Sequence, residues 1–180
     1  MGAADDEERF EAMYRAHYDE IGRFVRRRAA DLDSDDVVDM VMTIAWQRLP
    51  VVPVDNPLPW LYQTARNVLR NEFRRLSNDK HDLHDPTGLL MAAVPASRDD
   101  ASGVVDRLAL REALTHLDDR DREILELMAL EQLSVPEVAV VLDMKRTAVN
   151  NRVARLRKLW DPRPDRVHQL VALLGPRRRR

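Results

Sequence analysis

The chain has 180 residues, a formal net charge of −2 and no cysteine, enough for one domain or two small ones with modest cores and without disulfides or thiolate metal sites. No apolar run approaches the ~20 residues needed to cross a bilayer. The N-terminus MGAADDEERF is acidic where a signal peptide is basic, so a cytoplasmic protein that does not itself insert into a membrane is expected.

Few glycines, little β-branched alternation and plentiful Ala, Leu, Arg and Glu predict an all-α fold. In chain order, Phe10, Met13, Tyr14, Tyr18, Ile21, Phe24 and Val25 recur three or four residues apart and predict helix from about Glu8 to Ala30. A second helix follows from about Asp35 to Leu49, with Ser34 as the expected N-cap and Asp35 and Asp36 near its positive N-terminal end. Four prolines between Pro50 and Pro59 break helix and predict a shaped loop. A third helix, about Pro59 to Leu76, sets Trp60, Leu61, Ala65, Val68, Leu69 and Phe73 on one side. Arg66, Asn67, Arg70, Asn71, Arg74 and Arg75 surround the rest. Trp46 and Trp60 lie on apolar stripes and are expected to pack in a core rather than to stack on bases.

Residues 77–103 are polar, acidic and aperiodic, with Pro86, Gly88 and Pro95 as punctuation, and read as a linker with a short helix around Leu89 to Ala93. Within it His81, Asp82, His84 and Asp85 have metal-ligand chemistry but no supporting context, so no metal is expected. Helices resume over Val104–Leu117 and Asp118–Leu130, where Arg120 and Arg122 read either as phosphate contacts or as exposed helix charges.

The segment Leu133–Trp160 reads as a helix-turn-helix. Ser134 with Glu137 three residues on forms a capping box, and Pro136 sits in the first turn, where its missing N–H costs nothing. Val138, Ala139 and Leu142 keep helical spacing. Asp143, Met144 and Lys145 then interrupt before a second helix begins at Thr147. Val149, Val153, Leu156 and Trp160 make its packing stripe. Its other face carries Arg146, Thr147, Asn150, Asn151 and Arg155, with Arg152, Arg157 and Lys158 around it, and Lys145 to Lys158 contains no acid. Arginine can read guanine bidentately and asparagine adenine, while the remaining cations hold phosphates. The body behind this helix has no positive surplus: residues 1–76 hold 11 basic and 14 acidic side chains. Phosphate neutralisation supplies most non-specific affinity, so another component, such as a partner already on the DNA, is expected to contribute. Residues 161–180 allow a short terminal helix between Asp165 and Leu174 ahead of four arginines. A self-docking segment is the first reading of it, ahead of a partner motif or a phosphate-seeking tail.

The Asp35-Asp36 start of a helix ending near Trp46, the run WLYQTARN at Trp60–Asn67 with Asn71 and Arg74-Arg75, and LTHLDDRDREILEL ahead of the helix-turn-helix together resemble an extracytoplasmic-function (ECF) sigma factor of bacterial RNA polymerase. The resemblance implies two small helical domains: region 2 over 1–76, and region 4 over 104–160 after the linker, with 161–180 as an extension. It implies a transcription initiation factor, not an enzyme, without cofactor, that binds core RNA polymerase, recognises promoter DNA and assists melting. Members are often held by an anti-sigma factor. Asp35, Asp36 and Asp39 match the core-binding helix. Asp55 and Asn56 in the proline loop, with Asn67, Arg70, Asn71, Arg74 and Arg75 after it, match the part that captures the minus-ten element. Lys145, Arg146, Thr147, Asn150, Asn151, Arg155 and Lys158 match the part that reads the minus-thirty-five element, and Asp143 stands where the family often has glycine. The alternative is a stand-alone helix-turn-helix regulator. It would need a dimer surface and positive charge for a palindrome, and neither is evident. An all-helical enzyme is a weaker rival, since no catalytic constellation is recognisable.

Overall fold

The computed structural model describes residues 3–29, 32–76 and 117–159, and every regular element among them is helical. The expected linker with His81, Asp82, His84 and Asp85, the helix expected over 104–117 up to residue 116, Trp160 and the extension 161–180 lie outside the described residues. The helices fall into two compact units.

The first unit packs α1 (Ala3–Arg28), α2 (Ser34–Gln47) and α3 (Leu58–Leu76) on one another. Helix α1 buries Met13, Ile21, Phe24 and Val25, α2 buries Val38, Val41, Met42 and Ala45, and α3 buries Leu58, Leu61, Tyr62, Ala65, Val68 and Leu69. Each set recurs at three or four residues, so the three stripes meet in one core. The Phe24 ring lies 4.7 Å from that of Tyr62, and the Arg28 guanidinium lies over the Phe24 ring at 3.8 Å from its centroid.

Helix α2 is capped one residue earlier than expected. Asp33, not Ser34, is the N-cap, and its carboxylate accepts from the Asp35 N–H at 2.9 Å. Both residue types cap well, and Asp33 holds the extended backbone that a cap needs (φ −64°, ψ 112°). Ser34 instead accepts from Arg26 at 3.3 Å.

The tryptophans also differ from expectation. Trp46 is 47% exposed, with its ring edge-on to Phe10 at 5.1 Å, and Trp60 is only half-buried. Each stands next to its helix's buried stripe rather than on it: Val38, Val41, Met42 and Ala45 already fill that of α2, and Leu58, Leu61, Tyr62 and Ala65 that of α3.

In the second unit α4 (Asp119–Ala129) packs on α6 (Arg146–Leu159), with the short α5 (Val135–Val141) between them in sequence. Helix α4 contributes Ile124, Leu125, Leu127 and Met128 to the buried set, α5 Val138 and Ala139, and α6 Val149, Val153 and Leu156. After α4, Gln132 takes a left-handed φ of 57° and its side-chain amide donates to the Ala129 carbonyl at 2.6 Å. That closes an orphan carbonyl at the helix end.

Candidate nucleic-acid interface

The helix-turn-helix is built as the sequence pattern requires. The Glu137 carboxylate accepts from both the backbone N–H of Ser134 (2.7 Å) and its hydroxyl (2.6 Å), which is the glutamate half of a capping box at the start of α5. The chain then turns at Asp143, whose φ is 52°. The Met144 N–H donates to the Ala139 carbonyl at 2.9 Å, and α6 begins at Arg146, one residue before the expected start. This tight reversal leaves Lys145, Arg146, Thr147, Asn150, Asn151, Arg157 and Lys158 exposed on α6 and its approach, while Val149, Val153 and Leu156 face inward.

Two basic residues of α6 have long-range partners. Arg152 Nη1 donates to Asp121 Oδ1 at 2.6 Å and to both oxygens of Asp118, at 3.1 and 3.0 Å. Arg155 Nη2 donates to Asp121 Oδ2, and reaches Asp118 Oδ2 at 3.5 Å. Asp121 is 3% exposed. Asp118 is also the N-cap of α4, accepting from the Asp121 N–H at 2.7 Å. Burial pushes the Asp118 carboxyl up, but that N–H and the two guanidinium groups outweigh it and hold it below the usual carboxylate value. The Arg152 guanidinium is raised in turn, first by its hydrogen bond to Asp121. Nearby, Arg120 pairs with Glu123 at 3.1 Å and Arg122 with Asp119 at 3.0 Å; Arg122 also donates to the Leu117 carbonyl at 3.0 Å. Those contacts favour a helix-charge role for both arginines.

In the first unit Asp35, Asp36 and Asp39 are all exposed near the N-terminal end of α2, and Met40 beside them is 44% exposed. An aromatic row on α1 runs from Tyr18 to Tyr14 (4.9 Å between centroids) to Phe10 (6.1 Å) and on to Trp46 of α2. Burial, then the carboxylates of Asp35 and Asp39, push the Tyr18 phenol up.

The proline loop begins as a 3-10 turn, Leu49–Val51, and continues to Pro57, whose carbonyl accepts from the Leu61 N–H at 3.0 Å as α3 starts. Arg9 of α1 fastens it, donating to the Leu49 carbonyl at 3.1 Å and the Val52 carbonyl at 2.5 Å. Asp55 and Asn56 are exposed within it. Asn67, Arg70, Asn71, Arg74 and Arg75 are exposed along α3, with Arg75 in a surface pair with Glu72 at 3.3 Å.

Family profiles match both units: "Sigma-70 region 2" over residues 13–78 and "Sigma-70, region 4" over residues 107–159. The chain is 31% identical over 130 residues to RNA polymerase sigma factor NccH of Alcaligenes xylosoxydans xylosoxydans, covering 69% of each chain. It is 30% identical over 152 residues to ECF RNA polymerase sigma factor SigL of Mycobacterium tuberculosis, covering 79% of this chain and 83% of SigL. The chain belongs to the ECF sigma factors of RNA polymerase.

A solved structure of CnrH, a sigma factor of Cupriavidus metallidurans, in complex with the cytosolic domain of CnrY, shares the fold. Its TM-score is 0.51 at 24% identity, covering 92% of this chain and 86% of that one. As an ECF sigma factor the chain acts in transcription initiation, with core RNA polymerase and promoter DNA as its partners. A match to region 2 as well as region 4 does not favour the stand-alone regulator, which has no need of the former. The family is one of non-enzymatic transcription factors. No helix among the described residues is long and apolar enough to cross a membrane.

Three features of the sigma factor's surfaces were not expected from its sequence. Arg9 is one, the acidic partners Asp118 and Asp121 are the second, and the exposed pair Met40 and Trp46 is the third. The first two are pairings across 31 or more residues, and local periodicity carries no signal for them.

Proposed function

We propose that the two units divide promoter recognition: residues 1–76 dock on core RNA polymerase and take the minus-ten element, and residues 104–160 read the minus-thirty-five element as duplex. Residues 77–103 link them and 161–180 form an extension. The observation that carries this is the exposed face of α6, basic and amide-bearing and free of acids from Lys145 to Lys158. Arg146, Asn150 and Asn151 have the donors and acceptors for base edges, Thr147 a hydroxyl and methyl, and Lys145 and Lys158 the charge for phosphates. Arg155, expected among them, faces two carboxylates and serves to hold the helix.

Asp35, Asp36 and Asp39 supply a negative edge for basic residues of the polymerase, where complementary charge speeds encounter and fixes register. The Arg9-fastened loop presents Asp55 and Asn56 to an unstacked base. Asn67, Arg70, Asn71, Arg74 and Arg75 line the backbone path beyond it. The chain performs no catalysis of its own and works in the cytoplasm. CnrH is described in complex with the cytosolic domain of CnrY, and an anti-sigma factor covering the same polymerase-binding surfaces fits this chain too.

The test is run-off transcription by bacterial core polymerase on a pool of promoter fragments, with and without the protein. New start sites are expected, and aligning them yields the promoter motif. Asn56→Ala is then expected to relax the base preference of the minus-ten element alone, and Arg146→Ala that of the minus-thirty-five element alone. Identical transcripts with and without the chain refute the assignment.

A further inference from the structure

The recognition helix and the residue before it carry six cations between Lys145 and Lys158: Lys145, Arg146, Arg152, Arg155, Arg157 and Lys158. They are not equivalent. Arg152 and Arg155 stand three residues apart on the side of α6 turned to the first turn of α4, where they meet Asp118 and Asp121. Asp121 is almost fully covered, so releasing its guanidinium partners would leave a buried charge unpaired, a far larger cost than opening an exposed ion pair. The side chains of Arg152 and Arg155 are 31% and 54% exposed, so both guanidinium groups could reach phosphate if they were let go.

We infer that Asp118 and Asp121 withhold Arg152 and Arg155 from DNA, making the two arginines positioning residues that seat the recognition helix on α4 and lowering the free chain's affinity for duplex. The inference rests on α6 being the duplex-reading helix. It identifies two acids, outside that helix, that set how many of its charges are available. Each phosphate neutralised contributes about 0.9 to the slope of log affinity against log salt. The segment therefore acts with about four cations rather than six. This suits a subunit that should bind promoters as part of a polymerase and not wander on DNA alone.

The test measures binding of the full chain, without polymerase, to a mixed-sequence fluorescent duplex over a salt series. Asp121→Asn frees one or both arginines, and is expected to steepen the slope by roughly 1 to 2 and tighten binding about threefold per released guanidinium for a fourfold drop in salt. Adding Arg155→Gln to Asp121→Asn is expected to remove about 0.9 of that gain, an effect that a merely structural role for Asp121 would not produce. Asp118→Asn acts in the same direction and serves if Asp121→Asn does not fold, because asparagine caps α4 as well as aspartate does. In the parent background, Arg155→Gln is expected to move the slope less than Arg157→Gln does. Equal losses from those two, or an unchanged slope in folded Asp121→Asn and Asp118→Asn, overturn the inference while leaving α6 as the DNA-binding helix. If Arg146→Gln and Arg157→Gln also leave binding untouched, the reading of α6 itself fails, and the inference with it.

Discussion

Asp143 holds a left-handed backbone (φ 52°) in the turn between α5 and α6. That conformation costs an L residue about 1–2 kcal/mol, less for aspartate, whose short side chain tolerates it. Glycine there would lose the strain but add about 0.5–1 kcal/mol of backbone entropy, so Asp143→Gly is expected to be nearly neutral. A β-branched residue has no such compensation. Asp143→Val is expected to loosen the turn by about 1–2 kcal/mol, read as roughly tenfold faster hydrogen exchange at the amides of Met144 and Val149. Unchanged exchange in Asp143→Val would show that the turn does not depend on this conformation. The position was legible in the sequence as a break in periodicity, and its aspartate as a departure from glycine. The cap of α2 was legible only to within a residue: Asp33 and Ser34 are both competent, and backbone angles that no sequence displays decide between them.

At the scale of elements, the helices and their buried stripes followed from periodicity, because Leu61, Ala65 and Val68, or Val149, Val153 and Leu156, leave a helix little choice of which face to bury. Trp46 shows where that reasoning stops. A stripe says which side of α2 goes inward but not how wide the neighbouring helices are, and the bulky ring at its margin stays half outside against Phe10.

The proline loop is the other case. Its prolines were read as shaping it, yet the hydrogen bonds that tie it down come from Arg9, 40 and 43 residues earlier. Each bond from a charged donor is worth about 1.5–3 kcal/mol, so Arg9→Ala should free the 3-10 turn, speeding exchange at the Val51 and Val52 amides at least tenfold. Transcription with core polymerase is expected to continue with blurred minus-ten selectivity, and Arg9→Lys to recover only part of it, because an ammonium is a point charge without the guanidinium fork. Exchange unchanged in Arg9→Ala would remove Arg9 from any account of the loop.

Across the whole chain, charge decides how the protein can find DNA. Its formal net charge is −2, residues 1–76 are acidic in balance, and two of the six cations between Lys145 and Lys158 are met by Asp118 and Asp121. About four cations on α6 and its approach give a salt slope near −4 at most from that segment, too little to drive tight binding at physiological ionic strength. Proteins that read operators unaided bind with Kd of about 10⁻⁸–10⁻¹¹ M, whereas non-specific binding is typically about 10⁻⁴–10⁻⁶ M. The free chain is therefore expected to bind its own promoter duplex no more tightly than about 1 μM at roughly 0.15 M salt, where surface charges are screened beyond about 8 Å. Adding core polymerase should hold the same duplex far more tightly, since the enzyme then supplies the phosphate contacts that this chain lacks. Titrating a labelled promoter with the chain, with core, and with both separates these contributions. Nanomolar binding by the chain alone would mean that its charges act on DNA more freely than the α4–α6 ion pairs permit, and the shared-affinity account would fall even if transcription proceeds.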